Sequence, residues 1–204
     1  MFGTGVLNRQ PLGQARDEDM AEYQPTYNQD KLRELILHVA WRSQDDPTFG
    51  AVKLNKILYY ADFYAYRQLG ASITGADYQK LPEGPAPRQL LPARTSLVED
   101  GSVRLEYVPR FNYVQQRVVP LREPDLARFS AEELRIVDEV ITGLQGKSAR
   151  EVSEMSHQEL GWQAAEYYQT IPYRTAWLSA DPLSEEELSL ARQIAAEHEL
   201  ESVR

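Results

Sequence analysis

The spacing of hydrophobic residues predicts two long helices in the first third of the chain. Leucine, isoleucine and valine recur every three or four positions from Asn28 to Ser43, which places them on one side of a helix. Asn28 is a suitable N-cap because its side chain can accept a hydrogen bond from the first turn. The same spacing resumes at Ala51 and continues to Leu69, where Gly70 is a suitable C-cap.

The second of these helices has two different sides. Leu54, Leu58 and Ala61 recur on an apolar side that can enter a core. The other side, which we call the basic-aromatic face, consists of Lys53, Lys56, Tyr60, Phe63 and Arg67. Aromatic and arginine side chains are enriched at the centres of protein interfaces. We expect this face to be exposed and to bind another protein; the alternative is that other segments of the chain cover it, with the lysine stems lying along them.

A third helix is predicted to begin at Gly84-Pro85. Proline is tolerated at the first helical position, where its missing N–H would have no intrahelical partner. The helix would continue to about Glu99. Pro92 lies inside this range and predicts a kink or a break, because its ring clashes with the preceding turn.

A small antiparallel hairpin is predicted after this helix. Apolar and charged residues alternate from Val103 to Tyr107, the period of a half-buried strand, and the valine-rich segment from Tyr113 to Pro120 is the predicted partner strand. The residues near its turn that we predict to contact a protein partner are Arg110, Phe111 and Tyr113.

Three later helices share one start signal, a serine followed three residues later by a glutamate, in which the two side chains cap each other's backbone N–H groups. The pairs are Ser130 with Glu133, Ser148 with Glu151, and Ser184 with Glu187. The elements together predict a mainly α (α+β) fold, a compact helical domain of about six helices with one small β-hairpin. The predicted divisions are a flexible N-terminal arm over 1–26, the domain over 27–178 and an acidic C-terminal helix over 179–204.

Composition argues against several classes of function. Cysteine is absent, which excludes disulfides and thiolate chemistry. The three histidines, His38, His157 and His198, are not spaced as metal ligands, and no glycine-rich phosphate loop is present. We therefore predict no catalytic residue, no metal, no cofactor and no enzymatic activity. No apolar run is long enough to span a bilayer, and we expect a cytoplasmic protein.

The net charge of −9 is unevenly distributed. Residues 27–122 carry 13 basic and 10 acidic side chains, whereas residues 123–204 carry 7 basic and 17 acidic ones. The hairpin region is rich in arginine: Arg88, Arg94, Arg104, Arg110, Arg117 and Arg122. These arginines suit phosphate contacts, a solvated strand edge that prevents aggregation, or an acidic protein partner. The acidic total argues against nucleic acid.

Four motifs occur in this order: Lys53-Leu54-Asn55-Lys56-Ile57-Leu58-Tyr59-Tyr60-Ala61-Asp62, Ile73-Thr74-Gly75-Ala76, Gly84-Pro85, and Ser156-His157 with Trp162. Together they resemble the Panacea domain of SocA-like antitoxins, which occur in bacterial and phage toxin–antitoxin pairs. The resemblance implies a mostly helical domain whose structural motif is formed by Leu54, Asp62, Gly84, Pro85, His157 and Trp162. Glu83 and Gly161 stand where the family often has an aromatic residue and a proline.

The resemblance also implies a function. The chain would be an antitoxin that neutralises a cognate protein toxin by direct binding, a role connected with phage defence. The alternative is an adaptor that delivers a toxin or another partner to a cytoplasmic protease. The sequence alone leaves the toxin, the oligomeric state and the contact surface open.

Overall fold

The structure, a computed structural model, describes residues 23–110, 113–178 and 189. Its helices are α1 (Gln29–Arg42), α2 (Ala51–Leu69), α3 (Leu90–Glu99), α4 (Ala131–Leu144), α5 (Ala149–Ser156) and α6 (Leu160–Ala164). Strands β1 (Tyr78–Leu81) and β2 (Gly84–Pro87) form one antiparallel pair, and β3 (Val103–Pro109) and β4 (Val114–Pro120) form another. Two short 3-10 helices span Leu126–Arg128 and Tyr173–Trp177. The predicted α+β class is confirmed, but the described residues form two small β-hairpins where the sequence predicted one.

Helix α2 is the centre of the fold. It packs against α1, α4, α5, β2 and the second 3-10 helix. Eleven of its residues between Lys53 and Ala65 are buried. A helix surrounded in this way is buried on nearly every side, so it behaves as a core element rather than as an amphipathic surface helix.

The expectation that the basic-aromatic face is exposed is therefore wrong. Lys56 is fully buried, Lys53 is 1% exposed, and Tyr60 and Phe63 are 5% and 2% exposed. Only Arg67, near the end of α2, remains on the surface. The apolar and the basic-aromatic sides both lie in the interior because neighbouring elements cover α2 all round, as the alternative interpretation allowed.

The prediction for the third helix is also wrong at its start. Gly84 and Pro85 lie in β2, where Leu81 pairs with Gly84 across a tight turn, and α3 begins only at Leu90. Gly84 has φ +99°, a left-handed value that no right-handed helix contains. Pro92 consequently falls in the first turn of α3, where backbone N–H groups lack intrahelical partners, and it neither kinks nor breaks the helix.

The remaining local predictions agree with the structure where it describes them. Helices α1 and α2 lie within a residue of their predicted ends, and the hairpin is β3–β4. The capping boxes at Ser130 and Ser148 are both formed. The predicted capping box at Ser184 lies outside the described residues, as do 1–22 of the predicted arm and all of 179–204 except residue 189.

Gly84 lies where β2 approaches α2 and α5 most closely. A Cβ at this position would come within 2.6 Å of the Lys56 Cε and would also meet the Ser156 hydroxyl. We expect Gly84→Ala to lower the free energy of unfolding by about 2–4 kcal/mol, from the left-handed backbone and the overpacking together. Urea denaturation measures the loss.

Gly101→Ala is the matched control for this prediction. Gly101 has φ +72°, and nothing lies within 4 Å of the point that a Cβ would occupy there. This variant should therefore show only the backbone cost, about 1–2 kcal/mol. Equal losses for the two variants would contradict a close approach at Gly84.

Candidate interaction surface

Lys53, the first lysine of the basic-aromatic face, binds two residues of the loop that connects α1 to α2. The Lys53 Nζ lies 2.8 Å from the Asp46 Oδ2 and also donates to the Thr48 hydroxyl. The Asp46 Oδ1 accepts the Thr48 backbone N–H at 2.9 Å. Burial raises the pKa of the Asp46 carboxyl, but the hydrogen bonds from Lys53 and Thr48 outweigh burial and leave that pKa below its ordinary value. The group is a structural ion pair in the interior.

The second lysine holds the β1–β2 hairpin onto α2. The Lys56 Nζ donates to the Pro85 carbonyl at 3.3 Å and lies directly over Gly84. Burial lowers the pKa of Lys56 to about 7, an effect that the Glu83 charge opposes. A side chain at Gly84 would displace this lysine.

Asp62 connects α2 to the segment before β1. Its carboxylate accepts hydrogen bonds from the Thr74 N–H at 2.8 Å, from the Thr74 hydroxyl and from the Tyr78 hydroxyl at 2.8 Å. The group is fully buried, and burial raises the pKa of Asp62 despite these donors. Leu54, one of the other motif positions, is fully buried in the core.

His157 and Trp162 form a stacked pair near the end of the described chain. Their ring centroids are 4.1 Å apart. The Lys80 Nζ lies 4.2 Å from the Trp162 ring centroid and donates a hydrogen bond to the Ala165 carbonyl. The arrangement ties α6 to β1. Gly161 is buried beside Thr175, whose side chain occupies the space that any Cβ at 161 would need.

The described residues offer no centre for metal chemistry. No group of three or more His, Asp or Glu side chains among them is placed to hold a metal ion. In the same part of the chain, no helix has the length and apolar character required to cross a membrane.

The free end of the β3–β4 hairpin is the most exposed apolar surface near the predicted contacts. Tyr107 is 62% exposed, Tyr113 54% and Val114 61%. Together with the exposed Arg110 we call these residues the hairpin surface. Phe111 lies outside the described residues. Arg110 and Tyr113 are thus on the surface, as the sequence suggested, and their contact with a toxin stays a prediction.

The side chains of this surface are held in place by neighbours. The Gln116 side chain donates to the Tyr107 hydroxyl at 3.0 Å and accepts a hydrogen bond from Arg94 of α3 at 2.5 Å. The Arg110 guanidinium donates to the Gln115 side chain and, at 2.6 Å, to the Pro47 carbonyl. Such support reduces the side-chain entropy that a partner would have to remove on binding.

The predicted contacts with a protein partner did not include Tyr107 or Val114. Tyr107 alternates with Val103 and Leu105, which predicts the buried side of the strand. Burial instead fades along β3: Val103 is 1% exposed, Leu105 is partly buried and Tyr107 is open, because the hairpin extends beyond the core. Tyr107 is exposed because β3 is longer than the part of the core that covers it. No local sequence pattern indicates this difference in length.

Comparison with known proteins supports the resemblance seen in the sequence. Neither a curated protein nor a solved structure matches the chain. A family model described as antitoxin SocA-like, Panacea domain, matches residues 54–163, slightly more than half of the chain. This range begins in α2 and ends with Trp162 and Gln163, so it contains Asp62, the β1–β2 hairpin and the stacked pair. The chain therefore belongs to the SocA-like antitoxin family and carries its Panacea domain.

Proposed function

We propose that this protein is an antitoxin that neutralises a cognate protein toxin by direct binding, and that the hairpin surface makes the central contact. Membership of the antitoxin family supports a role in a toxin–antitoxin pair. The observation that carries the proposed location is the exposure of Tyr107, Val114, Tyr113 and Arg110 at the free end of the hairpin, where alternation places the first two on one side and the last two on the other. Tyrosine and arginine dominate the energetically important positions of protein interfaces.

The burial of α2 moves the proposed contact away from the basic-aromatic face. Lys53, Lys56, Tyr60 and Phe63 make their contacts inside the protein and offer nothing to a partner. The hairpin surface differs because its rings project from the end of a two-stranded element. It is also adjacent to α3 through the Arg94–Gln116 hydrogen bond.

Helix α3 can extend this surface to the size that a stable complex needs. Leu91 and Val98 are 63% and 40% exposed, and they lie with Arg94 on one side of α3 because the three residues are spaced by three and four positions. Specific interfaces cover about 800 Å² on each partner. The hairpin surface and this side of α3 together supply an apolar centre with arginine at its edge, the usual anatomy of such a contact.

Co-expression with the toxin tests the proposal. The product of the gene adjacent to this one is the first candidate, identified by lethality when it is expressed alone. We expect the wild-type protein to restore growth and the Tyr107→Ala, Tyr113→Ala double variant to fail. In a binding measurement with purified proteins, the double variant should raise the Kd at least about 30-fold, since interface hot spots contribute about 2 kcal/mol or more.

Tyr167→Ala is the matched control, because Tyr167 has the same 54% exposure as Tyr113 and lies near Trp162 instead of on the hairpin. It should restore growth like the wild type. Full rescue by the hairpin double variant would exclude the hairpin surface, and failure of the wild type to bind or rescue would exclude the antitoxin function for that toxin. A fall in toxin level during rescue would indicate delivery to a protease instead of occlusion.

A further inference from the structure

A groove of about 390 Å³ lies between the hairpin and the C-terminal part of α1. Ala40 of α1 and Pro47 of the following loop form part of one wall. The charged side chains come from β3, β4 and the turn between them: Arg104, Glu106, Arg110 and Arg117. The groove thus combines apolar surface with three guanidinium groups and one carboxylate.

Two of these arginines are held by neutral groups. Arg117 donates to the backbone carbonyls of Gln44 and Asp46 at 3.1 and 3.0 Å. Arg110 donates to the Pro47 carbonyl and to the amide oxygen of Gln115. Throughout the described part of the chain, no carboxylate forms an ion pair with either guanidinium. Within the described ranges the two guanidinium groups are therefore oriented without an ion pair, although Glu106 lies directly opposite Arg117 on the neighbouring strand.

The positive charge of the third arginine, Arg104, is compensated by a neighbouring carboxylate. Arg104 pairs with Glu106 at 2.5 Å, two residues along the same strand. The walls of the groove therefore carry an excess of positive charge from Arg110 and Arg117, in a protein whose total charge is −9. Because these contacts fix the two guanidinium groups, an incoming carboxylate would meet them already ordered and could accept charge-assisted hydrogen bonds from the N–H groups that the contacts do not use.

We propose that this groove binds an acidic, partly apolar peptide segment of the protein partner, with carboxylates opposite Arg110 and Arg117. Charge complementarity identifies the occupant, and the volume lies within the roughly 300–1,000 Å³ of ordinary ligand pockets, enough for a few residues. A nucleic acid is disfavoured because the described lining of the groove contains no aromatic side chain on which a base could stack. The identification of the partner as a toxin rests on the proposed function. The expectation that the groove binds an acidic peptide rests on the groove's own residues.

A fluorescein-labelled hexapeptide of alternating glutamate and leucine is the probe, and fluorescence anisotropy with the full chain is the measurement. We expect saturable binding that falls at least about tenfold when glutamine replaces glutamate in the peptide, because each lost charge-assisted hydrogen bond is worth about 1.5 kcal/mol or more. Arg117→Gln should weaken binding of the acidic peptide by a similar factor.

A second variant keeps the test decisive if Arg117→Gln disturbs the loop after α1. Arg104 makes no hydrogen bond to that loop, so Arg104→Gln should leave the fold intact. The change also leaves Glu106 without its partner, and the unpaired carboxylate should weaken binding of the acidic peptide several-fold. Arg135→Gln is its matched control: Arg135 also pairs with one glutamate and has a side chain 51% exposed, against 56% for Arg104. It should leave peptide binding unchanged.

Several results would overturn the inference. Equal binding of the glutamate and glutamine peptides would remove charge recognition, and unchanged binding by both groove variants would place the peptide elsewhere. If oligothymidylate binds the protein and the acidic peptide does not, the groove is a nucleic-acid site. Tighter peptide binding after Glu185, Glu186 and Glu187 are changed to glutamine would make the chain's own acidic segment the occupant.

The peptide measurement is independent of the toxin experiment. If the protein restores growth against no toxin but still binds the peptide, the proposed function is wrong and the inference about the groove stands. Conversely, rescue that depends on Tyr107 with no binding of the acidic peptide overturns the groove alone.

Discussion

The protein is expected to become more stable as the pH rises from about 7 to about 9.5, because Lys56 is buried with its pKa lowered to about 7. In this range the unfolded chain still binds a proton on Lys56, whereas the folded chain has lost it, so the free energy of unfolding increases with pH. The full difference from the ordinary value of 10.5 is worth about 5 kcal/mol, of which about 3 kcal/mol should be gained by pH 9.5.

Chemical denaturation over this pH range measures the effect. Above about pH 10 an opposite contribution begins, because burial raises the pKa of Tyr60 and Tyr78 and the unfolded tyrosines then lose protons first. Lys56→Met should remove most of the rise. Lys31→Met is the control: Lys31 is partly exposed and pairs with Glu133, so the wild-type slope should persist. A wild-type slope no steeper than that of Lys56→Met would contradict the prediction.

Lys53→Met is expected to lower the free energy of unfolding by about 3–5 kcal/mol, because it leaves the Asp46 carboxylate buried without its counter-charge. The two side chains are 1% and 5% exposed, so water cannot compensate for the missing ammonium group. The loss should appear as a lower denaturation midpoint with an unchanged dependence on denaturant concentration.

The double variant Lys53→Met, Asp46→Asn separates the buried charge from other effects. Asparagine keeps an oxygen that can accept the Thr48 N–H, as Asp46 does, but carries no charge. Most of the stability lost in Lys53→Met should therefore return, because a neutral group is far less costly to bury. A double variant no more stable than Lys53→Met would show that packing of the lysine stem, and not charge, causes the loss.

Several elements were predictable because they depend on residues that are close in the sequence. The N-cap at Asn28, the left-handed Gly70 after α2 and the capping boxes at Ser130 and Ser148 each involve groups within four positions of one another. The β3–β4 hairpin follows from strand alternation and a short turn. The motif order was likewise readable, and the family match confirms the resemblance that it indicated.

Gly84-Pro85 shows where local information becomes ambiguous. Proline is compatible with the first turn of a helix and also with an edge strand, so the dipeptide fits either state. The structure decides between them through the left-handed backbone of Gly84 and the contact with Lys56, which lies 28 residues earlier in the chain. No pattern within β1 and β2 reports that contact.

The sequence by itself determined where most helices and strands lie, how several of them begin, and to which family the chain belongs, because those properties reside in short segments and their order. The tertiary structure alone decided that both sides of α2 are buried between Lys53 and Ala65. Helical periodicity marks two sides of a helix but not what packs against each, and the partners of Lys53 and Lys56 are supplied by the preceding loop and by β2. The candidate surface therefore moved to the hairpin, where the core ends before the strands do.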